Sequence, residues 1–203
     1  ALYQKVHPND VNLKLANTYL SFIEGIQQDN GWFNNYKDFD HELTKQNGEV
    51  NLEDANGRAL WSLGTVIGHT NSLPEDLVNR AEICWDKAIE RIDDILSPRA
   101  IAYSLKGLYN YYSTHKEDSV KKNIERLADK LLHHYNINSD ESWCWYEDYM
   151  TYANNVLPEA MMYSYLVTGK QKYKKIAAVT FDFLLSHYFM KGQLKVISNR
   201  GWF

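Results

Sequence analysis

Leu52-Glu53-Asp54-Ala55-Asn56-Gly57-Arg58-Ala59-Leu60-Trp61-Ser62-Leu63-Gly64 decides how the rest of the chain is read. Ala59, Leu63 and then Ile67 recur at four-residue steps, the period that lines side chains along one face of an α-helix. Two acids, Glu53 and Asp54, stand where that helix opens, and Arg58 follows Asp54 by one turn. The spacing predicts a helix within 53–68.

The same period extends in both directions. Leu15, Tyr19, Phe22 and Ile26 mark a helix before it, and Leu77, Ala81, Cys84, Ala88, Ile92 and Ile95 mark one after it. Ser72 and Glu75 read as a capping box for that third helix, with Pro74 near its first turn. Ser97-Pro98 reads as an N-cap followed by a first-position proline. The fourth helix then carries Ile101, Leu105, Leu108 and Tyr112, and a fifth runs from about Asp118 through Val120, Ile124, Leu127, Leu131 and Tyr135. A sixth carries Leu157, Met161 and Tyr165, with Pro158 in its first turn and Gly169 as its C-terminal cap. Tyr173, Ala177, Phe181, Leu184 and Tyr188 mark a seventh. Lys195-Val196-Ile197 is the one short strand candidate, so the chain reads as all-α, a single domain over 1–203.

Composition narrows the partners. A formal net charge of −4 argues against nucleic acid, because phosphate binding needs a basic surface. No apolar run reaches the ~20 residues of a membrane span, and no charged start followed by an apolar core marks an export signal. Cytoplasm is therefore the expected location, with no membrane partner. Two cysteines make neither a disulfide framework nor a zinc site, and no metal or cofactor is expected. His133 and His134 are adjacent and point to different helix faces, and no phosphate loop or nucleophile elbow is present. Aromatic residues reach 14%, mostly 15 Tyr and 6 Trp, each a flat apolar face with a polar tip.

The connections alternate between short and long. The long ones, 28–51, 137–152 and 190–203, each follow an odd-numbered helix, and in antiparallel hairpins connections of one parity share one end. They also echo one another: Asp29-Asn30-Gly31-Trp32-Phe33, Ser142-Trp143-Cys144-Trp145-Tyr146 and Asn199-Arg200-Gly201-Trp202-Phe203. A common rim carrying these segments would gather two acidic doublets, Glu53-Asp54 and Glu147-Asp148. Two carboxyl groups flanking a sugar bond are what glycoside chemistry requires. Trp143, Trp145 and Tyr146 are apolar neighbours suited to a general acid. The plainer reading is that Glu53 and Asp54 stabilise a helix start. Arg58 would donate to sugar hydroxyls or brace Asp54. Trp32, Trp143, Trp145 and Trp202 offer faces on which a pyranose ring stacks, with Tyr146, Tyr152 and Asn154 as further binding candidates.

Alternating outer and inner helices with aromatic-acidic loops before the inner ones resemble the (α/α)6 toroid, or six-hairpin glycosidase-like, superfamily. The closer resemblance is to bacterial sugar-active toroid domains, some linked to glycosyltransferases. It rests on 52–64 and 143–160 and covers essentially the whole chain. It implies an α/α toroid. Twelve helices would complete such a ring, so seven to eight make it an incomplete one, truncated on its C-terminal side, with self-association or further helices covering the open ring. It also implies a carbohydrate-active protein, a glycoside hydrolase-like enzyme acting on an oligosaccharide through a Trp/Asp/Glu-rich cleft. The family often places an acid and an arginine in the stretch matching 152–158, where Ala153 and Val156 are apolar here. That departure motivates the alternative, a non-catalytic carbohydrate-binding or glycosyltransferase-associated module. A sugar 2-epimerase of the same class would want inward histidines and ranks below both.

Overall fold

The computed structural model describes residues 7–190 and 192–195. Among these, seven α-helices run in order: α1 (Asp10–Ile26), α2 (Glu53–Ile67), α3 (Glu75–Ile89), α4 (Pro98–Tyr112), α5 (Asp118–Asn138), α6 (Val156–Thr168) and α7 (Gln171–Tyr188). The fold is all-α, with one small hairpin in which β1 (Phe189–Met190) pairs antiparallel with β2 (Gln193–Leu194). The strand at 193–194 ends just before Lys195, the expected start of the strand. Lys195 donates its N–H to the Tyr188 carbonyl at 2.7 Å, and Val196 and Ile197 lie outside the described residues.

The helix ends follow the punctuation in the sequence, with one exception. Ser97 occupies the N-cap position of α4 with Pro98 just inside, although its side chain makes no capping hydrogen bond, and Gly169 closes α6 at φ 72°, a left-handed turn that glycine adopts without strain. Pro158 sits within the first turn of α6, where a missing N–H is not needed. The exception is α3: its N-cap is Pro74, no side chain caps it, and Ser72 belongs to a preceding 3-10 turn, so the Ser72–Glu75 box does not form.

Two rows of helices result. α4 packs against α2 on one side and α6 on the other, making an inner row α2–α4–α6. α3 packs on α2, α5 on α4 and α6, and α7 on α6, with α1 beside α3. Every residue of α4 from Arg99 to Leu108 is buried, which makes it the centre of the molecule. The core stripe read from the sequence for α3 and most of those for α5 and α4 are buried as expected, Tyr135 and Tyr112 being only partly buried.

The α2–α4 seam is unusually close because glycines line it. A Cβ on Gly57 would stand 2.6 Å from the Ala100 carbonyl oxygen, one on Gly64 2.8 Å from the Gly107 Cα, and one on Gly107 2.5 Å from the Leu60 carbonyl oxygen. Residues advance along both helices together, so α2 and α4 run parallel with their N-termini at one end.

α1 differs from its expected orientation. Leu15, Tyr19 and Phe22 are exposed, and the buried positions are Leu20 and Ile26, with Leu13, Ala16 and Ile23 packed on the core. The helix has two apolar stripes, and polar anchoring selects between them. Arg80 of α3 donates to Glu24 (2.8 and 2.5 Å), Asn17 (2.6 Å) and Ser21 (2.8 Å) of α1. The other stripe borders a groove of about 540 Å³ between α1 and α2, walled by Tyr19, Phe22, Trp61 and Val66. Among the described residues no helix is long and apolar enough to cross a membrane.

Candidate functional site

The parallel inner row brings the N-termini of α2, α4 and α6 to one rim, where 28–51 and 137–152 are fastened; most of 190–203, the third long segment, lies outside the described residues. Asn56 of α2 accepts the Phe33 N–H at 2.7 Å and donates to the Phe33 carbonyl at 3.1 Å, fastening the segment that carries Trp32. Gly31, at φ 88°, lies against the Lys87 backbone so tightly that no side chain fits. Trp32 itself is half-buried, with the Arg91 guanidinium 5.9 Å from its ring centre.

Asp54 lies at the middle of the rim. Its Oδ2 accepts Arg58 Nε at 2.7 Å, one turn along the same helix, and its Oδ1 accepts the Tyr152 hydroxyl at 3.1 Å. The Asp54 side chain keeps 35% of its surface exposed and Arg58 46%. Burial, reinforced by the Asp54 carboxylate, pushes the Tyr152 hydroxyl up to about 12. Beside this group two polar hollows open. One of about 350 Å³ is lined by Asn35, Tyr36, Asn51, Asp54 and Arg58, and one of about 370 Å³ by Gln28, Asn30, Trp32, Asn47 and Glu53 among others.

The second acidic doublet joins the first through an arginine that the sequence reading did not single out. Arg99, in the first turn of α4, donates Nη1 to both Glu147 oxygens (2.6 and 2.5 Å), Nε to the Tyr152 carbonyl (2.8 Å) and Nη2 to Asn154 Oδ1 (3.0 Å). Its guanidinium also lies 4.9 Å from the Tyr152 ring centre. Arg99 therefore holds the loop that presents Tyr152 to Asp54. The available signal was spacing: Arg99, Tyr103, Lys106 and Asn110 repeat the four-three-four steps of Asp54, Arg58, Trp61 and Thr65.

No protein-family model matches the chain, and no curated protein matches it either. Its chemistry must be read from the rim.

Several expected site residues are taken up by the fold instead. Glu53 Oε2 accepts the N–H groups of Leu96 (2.7 Å) and Ser97 (2.6 Å), satisfying the open end of α4 from the neighbouring helix. Glu147 is buried with Arg99, their side chains 10% and 4% exposed, as an enclosed ion pair. Trp145 and Tyr146, expected at a ligand, are fully buried. Trp145 packs edge-on against Tyr146, whose hydroxyl pairs with Thr180 at 3.0 Å and titrates far above the ordinary tyrosine value because burial disfavours its charge. Both rings were drawn inside because a large apolar surface gains more from the core than from water. Trp143 is half-buried and spends its indole N–H on the Glu147 carbonyl at 2.6 Å, with its ring edge-on to Phe183. Asn154 is buried and cross-links Arg99, Thr151 and Tyr188. Asp148 is exposed, away from that network. Trp202 lies outside the described residues. The side chains that combine exposure with rim geometry are Asp54, Arg58, Tyr152 and Trp32.

Tyr163 on α6 is also pushed up to about 12, by burial and then by its Glu159 partner. An unfolded tyrosine titrates near ~10, so both hydroxyls favour the protonated form more in the folded state. Their contribution is complete below about pH 10 and is lost as pH rises through about 12. The Tyr152→Phe, Tyr163→Phe double variant should show a shallower alkaline loss of stability in that window. Denaturant titrations at stepped pH, read beside tyrosinate absorbance, check this.

Proposed function

We propose that this chain is a carbohydrate-binding protein of α/α-toroid type that holds an oligosaccharide across the rim of its inner helices. One observation carries the reading. Two neighbouring hollows open at the rim, both bordered by Asn51: Asp54, Arg58 and Tyr36 line one, and Glu53, several amide side chains and the half-buried Trp32 line the other. Sugar hydroxyls need paired donors and acceptors, while the C–H face of a pyranose needs an aromatic plane, and this rim offers both. The two-row helix order supports the toroid assignment, and the open side of α2, bordered by the α1 groove, suits a ring continued by further helices or another copy. The cytosolic placement is supported by Cys84 and Cys144, which are both free thiols.

Recognition is favoured over hydrolysis because, of the two candidates for the second carboxylate, Glu147 is committed to Arg99 and Asp148, though exposed, lines neither hollow. A hydrolytic reading keeps one observation in its favour: Asp54 is a part-open carboxylate at the rim, held in place by Arg58 and Tyr152.

Calorimetric titration with gluco-, manno-, galacto- and N-acetylglucosamine-based oligosaccharides tests the proposal. At least one series should bind, and Asp54→Asn and Trp32→Ala should each weaken it about tenfold, the weight of one charged hydrogen bond or one stacked face. No binding by any series, or binding indifferent to both substitutions, would sink it. Release of reducing ends by wild-type protein but not by Asp54→Asn would replace recognition with hydrolysis.

A further inference from the structure

The segment 26–34 is a short hairpin with two unlike faces. Gln27 and Phe33 are bridged antiparallel, Gln28 donates its N–H to the Trp32 carbonyl at 2.8 Å, and Asn34 donates its own to the Ile26 carbonyl at 3.0 Å. Side chains alternate along paired backbones, so Gln27 and Phe33 share one face while Gln28, Trp32 and Asn34 share the other. The first face is turned into the protein. Gln27 Nε2 donates to the Cys84 carbonyl of α3 at 2.8 Å, and Phe33 is buried. The second face is therefore directed outward, with Gln28, Trp32 and Asn34 each half-buried.

A third hollow, of about 490 Å³, opens beside that outward face. Gly25, Asp29, Asn34 and Leu43 border it, together with Gln28 and Asn30. Gln28 and Asn30 also border the hollow that holds Trp32, and Asn51 joins that one to the hollow at Asp54 and Arg58. The three are thus neighbours in a row, from Asn34 past Trp32 to Asp54. Each has a volume within the ~300–1,000 Å³ of small-ligand sites. Amides dominate the polar side chains of the third hollow, and an amide offers donor and acceptor together without charge. Gln28 Nε2 donates to Asn34 Oδ1 at 3.3 Å, whereas Gln28 Oε1 and Asn34 Nδ2 make no hydrogen bond among the described residues. One acceptor and one donor therefore stand unspent at its edge.

We infer that this third hollow is a further saccharide subsite, so that the ligand runs along the outward face of the hairpin and is an uncharged oligosaccharide of at least three sugar units. The inference rests on the saccharide reading of the rim and adds a length and a direction to it.

Calorimetric titration tests it with the disaccharide and the tetrasaccharide of the gluco-, manno-, galacto- and N-acetylglucosamine-based series. The proteins are wild type, Asn34→Ala, Gly25→Gln and Asp54→Asn, each checked for native helicity by circular dichroism. Asn34 borders the third hollow and neither of the other two. A Cβ on Gly25 meets nothing nearer than Lys37 Nζ at 4.0 Å, so Gly25→Gln adds a side chain at the third hollow without displacing backbone. Wild type should bind the tetrasaccharide about tenfold more tightly than the disaccharide, the weight of one or two hydrogen bonds. Asn34→Ala and Gly25→Gln should each erase that gain and leave disaccharide affinity unchanged, while Asp54→Asn should weaken both lengths. Equal affinities for the two lengths in wild type, or a tetrasaccharide preference that survives both variants, overturns the third subsite and leaves the rim proposal standing. Absence of any saccharide binding by wild type overturns both. Should Asn34→Ala lose helicity, Gly25→Gln decides alone, by the same two outcomes.

Discussion

Replacing Arg99 with alanine is expected to destabilise the protein by about 3–5 kcal/mol, the usual result of stranding one member of a buried ion pair. The size follows from what remains behind. Glu147 would stay enclosed with a charge and no cation, and the Tyr152 carbonyl and Asn154 Oδ1 would each lose a donor. Arg99→Lys should recover only part of the loss, because an ammonium is a single point charge and cannot fork toward three acceptor groups. The Arg99→Met, Glu147→Met pair should lie much closer to wild type, since neither charge is then stranded. Urea denaturation of the four proteins checks the series. A loss under about 1 kcal/mol in Arg99→Ala would mean that water replaces the guanidinium and that the pair is not enclosed.

Gly64→Ala is expected to cost about 1–3 kcal/mol or more, through overpacking rather than lost contacts. Its Cβ would stand 2.8 Å from the Gly107 Cα and closer still to the Gly107 carbonyl. Backbone cannot rotate aside as a side chain can, so α2 must lift from α4. That shift would carry Asp54 and Arg58 away from Tyr152 and Tyr103, so the proposed saccharide binding should weaken together with stability. Gly48→Ala is the control: a Cβ there meets nothing within 4 Å, and neither property should change appreciably. Matching thermal melts and titrations for the two variants separate the seam from glycine effects in general.

Periodicity made most of the fold readable. The stripes of α3 and α5, the Ser97-Pro98 start and the Gly169 stop each depend on local chemistry that one chain segment carries by itself. α1 was misread because Leu15-Tyr19-Phe22 and Leu13-Ala16-Leu20-Ile23 are both apolar at helical spacing, and Arg80, 56 residues beyond Glu24, chooses between them. No window of sequence contains that choice. The site divides along the same line. The shared rim was legible from the alternation of loop lengths, and the Asp54–Arg58 pair from its spacing. Which acid would face solvent was not, because Glu147 becomes enclosed only through Arg99, 48 residues away. Tryptophan content misled for a related reason: the same ring suits a sugar face and a protein core, and only packing against α7 assigns Trp143 and Trp145.

The glycine-lined seam also divides the molecule into stiff and yielding parts. With so little side chain between them, the α2 and α4 backbones cannot slide or tilt independently, and what they carry stays at fixed separation. Any adjustment to an incoming molecule must then come mainly from 34–52, whose backbone is tied down by scattered turns and amide brackets such as Asn47 on Tyr36, since 145–154 is held by Arg99 and by buried rings. Selectivity would in that case be set by how far one loop can bend toward an unyielding floor.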